Sequence, residues 1–207
     1  MGRQRILEQL RTARANVTVP RAEAPAPAPL VRQSQQACVE RFLQEAVAVG
    51  VECWPERSEA DVRARVQSLI AGRRVLSWDP SELPYGVGDL VSHAILGRAP
   101  RAEQARAEIG VTGCDAGIAE TGSLAMISAP GRSRTVSLLP PAHIAIVSPA
   151  LVKFSMAEFF VDHADHLRQA ASCTFITGPS RTADIELTLT LGIHGPGKVT
   201  IVMGPLT

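Results

Sequence analysis

Four short apolar runs follow one another between residues 113 and 147, and each is bounded by glycine, proline or serine. They cover residues 114–119, 124–127, 135–139 and 144–147. Runs of this length are too short for stable helices, and such boundaries are typical of buried strands joined by tight turns. The stretch therefore predicts a set of core strands against which the remaining chain must pack.

The turn between the first two runs is Glu120-Thr121-Gly122-Ser123. A carboxylate, two hydroxyls and a glycine between core strands offer backbone N–H groups and hydroxyls to a ligand. The same residue types also occur in ordinary turns, where Thr and Ser hydrogen-bond to nearby backbone groups. The turn is therefore a candidate binding site, although from these residues alone a structural turn is the favoured interpretation.

The composition indicates a globular protein with almost no net charge. The 207 residues are 45% hydrophobic, and 21 Lys and Arg against 20 Asp and Glu leave a net charge of +1. This length fits one domain with an added tail. The charge balance argues against a nucleic-acid-binding protein that relies on a strongly basic surface.

The cysteines and the hydropathy pattern predict a cytoplasmic protein. Cys38, Cys53, Cys114 and Cys173 form no C-x-x-C pair, and their wide spacing is not that of an iron–sulfur or zinc site. No signal peptide is visible, and no run of about 18 apolar residues is present. We therefore expect reduced thiols and no integral membrane segment.

The first 33 residues differ in composition from the rest. Residues 1–15 combine four arginines with Ile6, Leu7 and Leu10, in the manner of a short basic amphipathic helix. Alternating Ala and Pro then favour an extended linker, because proline fixes φ and blocks a helix. The predicted domains are this arm and linker, 1–33, and a folded domain, 34–207. The arm is either a loose terminus or a segment that docks on a partner or a second subunit.

The folded domain alternates helices and strands, which predicts an α/β sheet. Helices are predicted at 34–50, 58–71, 102–108 and 155–170, and strands at 51–54, 73–78, 172–177, 184–191 and 198–203. For the segment 184–191 the alternative is a helix that begins at Ser180. Helical periodicity places Phe42 and Val47 on the core face of the first helix and Phe160 on that of the last. Several glycines and prolines predict a long ordered loop over 81–101.

His163 and His166 lie three residues apart on the last predicted helix, next to carboxylates. Two imidazoles on one helical face can contribute to a metal site. No third ligand is evident from the sequence, so a solvated surface is the favoured interpretation and no metal site is predicted.

Further candidates lie in loops near strand ends, where ligands bind in open α/β sheets. Gly178-Pro179-Ser180 follows one predicted strand, and His194-Gly195 follows another. His143 begins a core strand. Asp184 and Glu186 share one face if their segment is a strand, as a general base and its neighbour would. Each of these residues also has an ordinary structural interpretation.

Four motifs occur in order along the chain: AETGS at 119–123, SLLPPAHI at 137–144, GPSRTADIE at 178–186 and GIHGP at 192–196. By this ordered set the chain, from about Ser34 onward, resembles the LUD-domain family and, within it, the lactate-utilization protein C group. Family members commonly carry Thr at the position of Ser123, so the hydroxyl is kept.

The resemblance implies an α/β fold, a three-layer α/β/α Rossmann-like sheet of the sugar-isomerase and CoA-transferase type. The sheet is expected to be mostly parallel, with short added β-hairpin elements. Glu120 and Asp184 are then the candidate catalytic residues. The expected ligand-binding residues are Thr121, Gly122, Ser123, His143, Gly178, Pro179, Ser180, Glu186, His194 and Gly195.

The resemblance also implies a role in oxidising L-lactate to pyruvate. In that family three proteins act together, and two partners carry the iron–sulfur cysteines. We therefore expect an accessory subunit that holds no cofactor itself and provides a pocket for the substrate or a small anion. The alternatives are a stand-alone isomerase, CoA-transferase or cycloligase-type enzyme that uses Glu120 or Asp184, and a scaffold without a working pocket. Whether the chain forms a homo-oligomer is left open.

Overall fold

The computed structural model describes residues 2–15, 33–183 and 189–206. The α-helices in these ranges are α1 (Gly2–Ala15), α2 (Gln35–Ala48), α3 (Glu59–Ile70), α4 (Arg101–Gln104), α5 (Thr135–Leu138), α6 (Met156–Asp162) and α7 (Ala164–Gln169). The strands in these ranges are β1 (Glu52–Pro55), β2 (Val75–Ser77), β3 (Ile95–Leu96), β4 (Ile109–Thr112), β5 (Ala116–Ile118), β6 (Ser123–Ile127), β7 (Ala142–Val147), β8 (Val152–Lys153), β9 (Cys173–Ile176), β10 (Arg181–Ala183), β11 (Leu189–Leu191) and β12 (Lys198–Met203).

Serine side chains cap the first turns of α2, α3 and α6. The hydroxyls of Ser34, Ser58 and Ser155 each accept a hydrogen bond from the N–H three residues later, at 3.1–3.2 Å. Such a cap satisfies one of the amide groups that a helix leaves unpaired at its start. The predicted starts of these three helices are therefore confirmed.

The central sheet is parallel throughout its described strands, in the order β1-β12-β7-β4-β2-β3. On β7, Ile144 and Ile146 belong to the hydrophobic cluster of α3, whereas Ala145 and Val147 belong to that of α2. Since successive strand residues point to opposite faces, these two helices cover opposite faces of the sheet. The predicted three-layer, mostly parallel α/β architecture is confirmed.

A smaller sheet is added at one side of the central sheet, in the order β8-β5-β6-β9. Strands β5 and β6 form an antiparallel hairpin, and β9 pairs antiparallel with β6. Strands β10 and β11 form a separate antiparallel hairpin. These hairpins match the short added elements that the family resemblance implies.

The run 135–139 was predicted as a strand, and this is wrong, because the structure has the helical turn α5 there. The backbone of α5 lies directly on β4, where a side chain at Gly110 would overlap the carbonyl oxygen of Val136. Thr135 Oγ1 also donates to Gln104 Oε1 at 2.7 Å. A short apolar run is buried in either conformation, so periodicity does not distinguish them.

The predicted helix 155–170 is interrupted. His163 leaves the helical conformation at φ −108° and ψ 13°, between α6 and α7. Phe159 is fully buried under β5 and β6, whereas Phe160 is 45% exposed, so the predicted core face is off by one residue. Val47 is likewise exposed and not part of the core. Helix α4 is shorter than predicted.

Helix α1 forms as its sequence predicts, and its described side chains are exposed. The Ala/Pro-rich linker lies outside the described residues apart from its last position. No helix within the ranges that the structure describes is long and apolar enough to cross a membrane.

Candidate functional site

The Glu120–Ser123 turn is seated on helix α2. Gly122 has φ +64°, and a Cβ at this position would overlap the backbone of α2 at Glu45 and Ala46. Only glycine combines this dihedral angle with so close an approach. The close approach to α2 therefore explains the glycine, while Glu120 and Thr121, the two residues before it, are exposed.

A chain of hydroxyl groups joins this turn to the end of β9. Thr121 Oγ1 lies 2.7 Å from Ser123 Oγ, which lies 2.7 Å from Thr177 Oγ1. Ser123 is 2% exposed, so its hydroxyl is satisfied by these two neighbours rather than by solvent. Thr121 and Ser123, both predicted to bind a ligand, are thus brought together. Their hydrogen bonds also give the two hydroxyls a structural role.

The predicted loop Gly178-Pro179-Ser180 continues from this cluster to the turn at 194–196. Gly178 has φ +84° and packs against Val49, the residue that ends α2. The Ser180 N–H donates to the carbonyl oxygen of Pro196 at 2.8 Å, and Gly195 lies beside Ser180. His194 is exposed. The loops of three sequence motifs therefore meet near the carboxyl end of α2.

His143 lies apart from these loops, inside the parallel sheet. It is fully buried, and its Nε2 is 2.8 Å from Thr112 Oγ1 on the neighbouring strand. Its Nδ1 has no hydrogen-bond partner among the described residues. Burial lowers the pKa of His143 to about 4, so the ring is neutral near pH 7. The candidates Asp184 and Glu186 fall outside the described residues.

A cavity of about 780 Å³ opens at the carboxyl edge of the parallel sheet. Its walls include segments that follow β2, β4 and β7, the base of the β5–β6 hairpin, and one face of α7. Parallel strands end together at this edge, which is where open α/β sheets bind ligands. The Glu120–Ser123 turn is at the opposite end of the same hairpin. The cavity is therefore a second candidate site, distinct from the predicted turn.

Arg132 joins the segments on one wall of the cavity. Its Nε donates to Glu82 Oε2 at 2.6 Å, and its Nη1 donates to Asp115 Oδ1 at 2.7 Å. Asp115 Oδ2 in turn accepts from the N–H of Ile127 at 2.6 Å. Burial opposes the charged guanidinium, but these two ion pairs outweigh it and raise the pKa of Arg132. The guanidinium is thus held in one orientation.

Helix α7 and the residue before it form another part of the wall, with His163, His166 and Gln169 spaced along one helical face. The ring of His163 stacks on Phe159 with centroids 4.5 Å apart, and its Nδ1 lies 3.1 Å from the carbonyl oxygen of Phe159. Among the described residues, no group of three His, Cys, Asp or Glu is arranged to hold a metal ion.

The sequence analysis missed this cavity because its walls come from distant segments. His163 and His166 were interpreted as a solvated helix surface; His166 is exposed and His163 half-buried, and both also line the cavity at the carboxyl edge of the sheet. One usable signal was present: Glu82 and Asp115 each closely follow a buried strand of a predicted parallel sheet. Cys114 also lines the cavity, and burial raises the pKa of its thiol.

Comparisons with a family model and with known proteins point to the same family. A family model described as the LUD domain matches residues 85–203. The lactate utilization protein C of Geobacillus sp. is 29% identical over 82% of this chain and 79% of its own length. The protein of the same name from Anoxybacillus flavithermus is 31% identical over 72% of both chains. That of Exiguobacterium sp. is 42% identical, but this match spans only 47% of this chain and 44% of that protein.

A solved structure supports the fold. The crystal structure of a DUF162 family protein from Deinococcus radiodurans superposes with a TM-score of 0.66 over 83% of this chain and 99% of that chain. At 20% identity this similarity bears on the fold alone. The LUD-domain match and the relatives assign the family: the chain belongs to the LUD domain family, in the group of lactate utilization protein C.

Proposed function

We propose that this chain acts in lactate utilization, as the accessory protein of a system in which iron–sulfur partner proteins oxidise L-lactate to pyruvate. The observation that carries the proposal is the set of relatives named lactate utilization protein C, which includes a protein 31% identical over 72% of both chains. The cavity at the carboxyl edge of the sheet supports it, because it offers a place for the small substrate.

The division of labour follows from the chemistry of the reaction. Oxidation of lactate to pyruvate releases two electrons and two protons, and the proposal places the clusters that accept the electrons in the partners. The cysteines of this chain lie in separate elements and are free thiols: Cys38 in α2, Cys53 in β1, Cys114 after β4 and Cys173 in β9. The role of this chain is to hold the substrate or a small anionic effector.

The proposal is tested by purifying the tagged chain from its native cells, grown anaerobically on lactate, and measuring iron and co-purifying proteins. We expect stoichiometric iron–sulfur partners and lactate-dependent reduction of a redox dye by the complex. Cells grown on another carbon source serve as the control for growth-dependent association.

Two results would contradict the proposal. One is a chain that purifies alone and iron-free from cells whose growth on lactate survives deletion of its gene. The other is lactate oxidation by the purified chain without partners, which would make it an enzyme in its own right. We expect no dye reduction by the isolated chain.

A further inference from the structure

We infer that the cavity recognises a small 2-hydroxy carboxylate through Arg132 and His163, and that it binds the hydroxy acid more tightly than the corresponding 2-oxo acid. The inference rests on the proposed function for the choice of lactate and pyruvate as the pair compared. Its physical basis is the different chemistry of two residues that line the same cavity, Arg132 and His163.

The Arg132 wall presents a fixed hydrogen-bond donor. The Nε and Nη1 groups are taken by Glu82 and Asp115, whereas Nη2 forms no hydrogen bond with the residues that the structure describes. The Nη2 hydrogens are therefore not used by the two ion pairs. Because the two ion pairs already hold the guanidinium, a ligand carboxylate would bind without ordering this long side chain.

The His163 wall presents an acceptor. A carbonyl oxygen can only accept, so the contact between His163 Nδ1 and the Phe159 carbonyl places the proton of the neutral ring on Nδ1. The Nε2 atom then carries a lone pair. Stacking on Phe159 fixes the plane of the ring. His163 is therefore suited to accept a hydrogen bond from a ligand hydroxyl.

A 2-hydroxy carboxylate carries one group suited to each of these two residues. Its carboxylate oxygens accept from Arg132, and the hydroxyl on the neighbouring carbon donates to His163. Pyruvate and propionate keep the carboxylate but have no hydroxyl hydrogen, so either would leave the Nε2 lone pair without a donor. Loss of such a hydrogen bond in a polar site typically weakens binding by about tenfold.

The charges of the cavity set the expected strength of binding. Glu82 and Asp115 against Arg132 leave one net negative charge when both imidazoles are neutral. This field opposes a monoanion, so we expect dissociation constants in the millimolar range. The same field would favour a cationic amine, which provides a direct competitor to the inference.

The test is a titration of the full chain, followed by calorimetry or NMR, with L-lactate, pyruvate, propionate and 1-amino-2-propanol. The amine keeps the hydroxyl of lactate and replaces its carboxylate by a cation. We expect L-lactate to bind about tenfold more tightly than pyruvate or propionate, and the amine to bind more weakly than lactate.

Substitutions then assign the two contacts. In His163→Asn the amide can still donate to the Phe159 carbonyl but places no acceptor at the Nε2 position. The affinity of this variant for lactate should therefore be about tenfold lower than that of the wild type, and equal to its affinity for propionate. Its affinity for propionate should be unchanged. Arg132→Lys should weaken the binding of lactate and of propionate by the same factor, because a lysine ammonium cannot hydrogen-bond to Glu82, Asp115 and a ligand carboxylate in the way that the planar guanidinium can. His93→Asn, at an exposed position outside the cavity, is the matched control, and thermal denaturation checks that each variant is folded.

Equal affinities for the three carboxylates, unchanged lactate affinity in His163→Asn, tighter binding of the amine, or no lactate binding at about 50 mM would each overturn the inference. None of these results touches the accessory role beside iron–sulfur partners, which is judged by partner association and by growth on lactate. Conversely, a chain that binds lactate selectively but is dispensable for that growth would contradict the proposed function alone.

Discussion

His143 is a neutral imidazole held inside the parallel sheet, and it makes the stability of the fold depend on pH. Burial lowers its pKa to about 4, whereas an unfolded chain would protonate it at its ordinary value of about 6.5. As the pH falls from 6.5 to 4, the histidine is therefore protonated in the unfolded state before it is protonated in the folded state, and the free energy of unfolding decreases. The free energy of unfolding has its full value above pH 6.5, and we expect the shifted pKa of His143 to lower it by about 3 kcal/mol by pH 4.

The contribution of His143 is measured by urea unfolding of the wild type and of His143→Gln at several pH values from 7 to 4. Glutamine can keep the hydrogen bond to Thr112 and does not titrate. The free energy of unfolding should fall more steeply in the wild type than in the variant. Parallel pH profiles would contradict the prediction, and His93→Asn, at an exposed site, should retain the wild-type profile.

Gly122 and Gly72 both have positive φ, so alanine substitutions at the two positions separate the cost of the backbone conformation from the cost of a steric overlap. Gly122→Ala introduces a Cβ at positive φ and also drives it into the backbone of α2. Gly72→Ala has φ +70° but meets no atom within 4 Å. We expect Gly72→Ala to cost about 1 kcal/mol and Gly122→Ala about 3 kcal/mol or more, by chemical denaturation. Similar costs would mean that the turn is not seated tightly on α2.

At the level of the elements, the sequence predicts best where one local signal acts alone. The serine caps of α2, α3 and α6 were predictable because a single side chain begins each helix. The strand assigned to 135–139 failed because burial against Gly110, a contact distant in sequence, decides its conformation. The interruption of the helix at His163 could not be predicted from the sequence, because no proline or glycine marks it.

The candidate site shows the same limit. The turn Glu120–Ser123 could be found because its residues are adjacent in sequence and bounded by apolar runs. The cavity could not, because Glu82, Asp115, Arg132 and His163 meet only after the sheet and the β5–β6 hairpin have formed. Which polar residues share an edge depends on strand order, and periodicity carries no information on strand order.

Helix α1 is an element that contributes little to the folded state. The described side chains of α1 are exposed, including Ile6 at 56% and Leu10 at 60%. A chain that starts at residue 33 should therefore unfold at the same temperature as the full chain, to within about 1 °C. A clear drop in the melting temperature would show that α1 packs on the domain or on a second copy of it.

For the whole molecule, the position of β12 is decisive. This strand lies between β1 and β7, with parallel pairing to both, and Val199, Ile201 and Met203 belong to the core cluster of α2. Deleting residues from Lys198 onward should leave β1 without its neighbour and abolish cooperative unfolding, as monitored by near-ultraviolet circular dichroism. The matched control is removal of the longer segment 1–32, which should leave the signal intact. A folded chain without β12 would contradict this account.

The same strand order has a consequence for synthesis on the ribosome. Strand β1 leaves the exit tunnel well before the partner that covers its edge, because Glu52 of β1 pairs with Thr200 of β12. Until then, the nascent chain exposes the apolar side of α2 and an unpaired strand edge, and both are surfaces that chaperones bind and that drive aggregation. Folding of the central sheet must therefore wait until β12 has been translated, however quickly the caps and hairpins form.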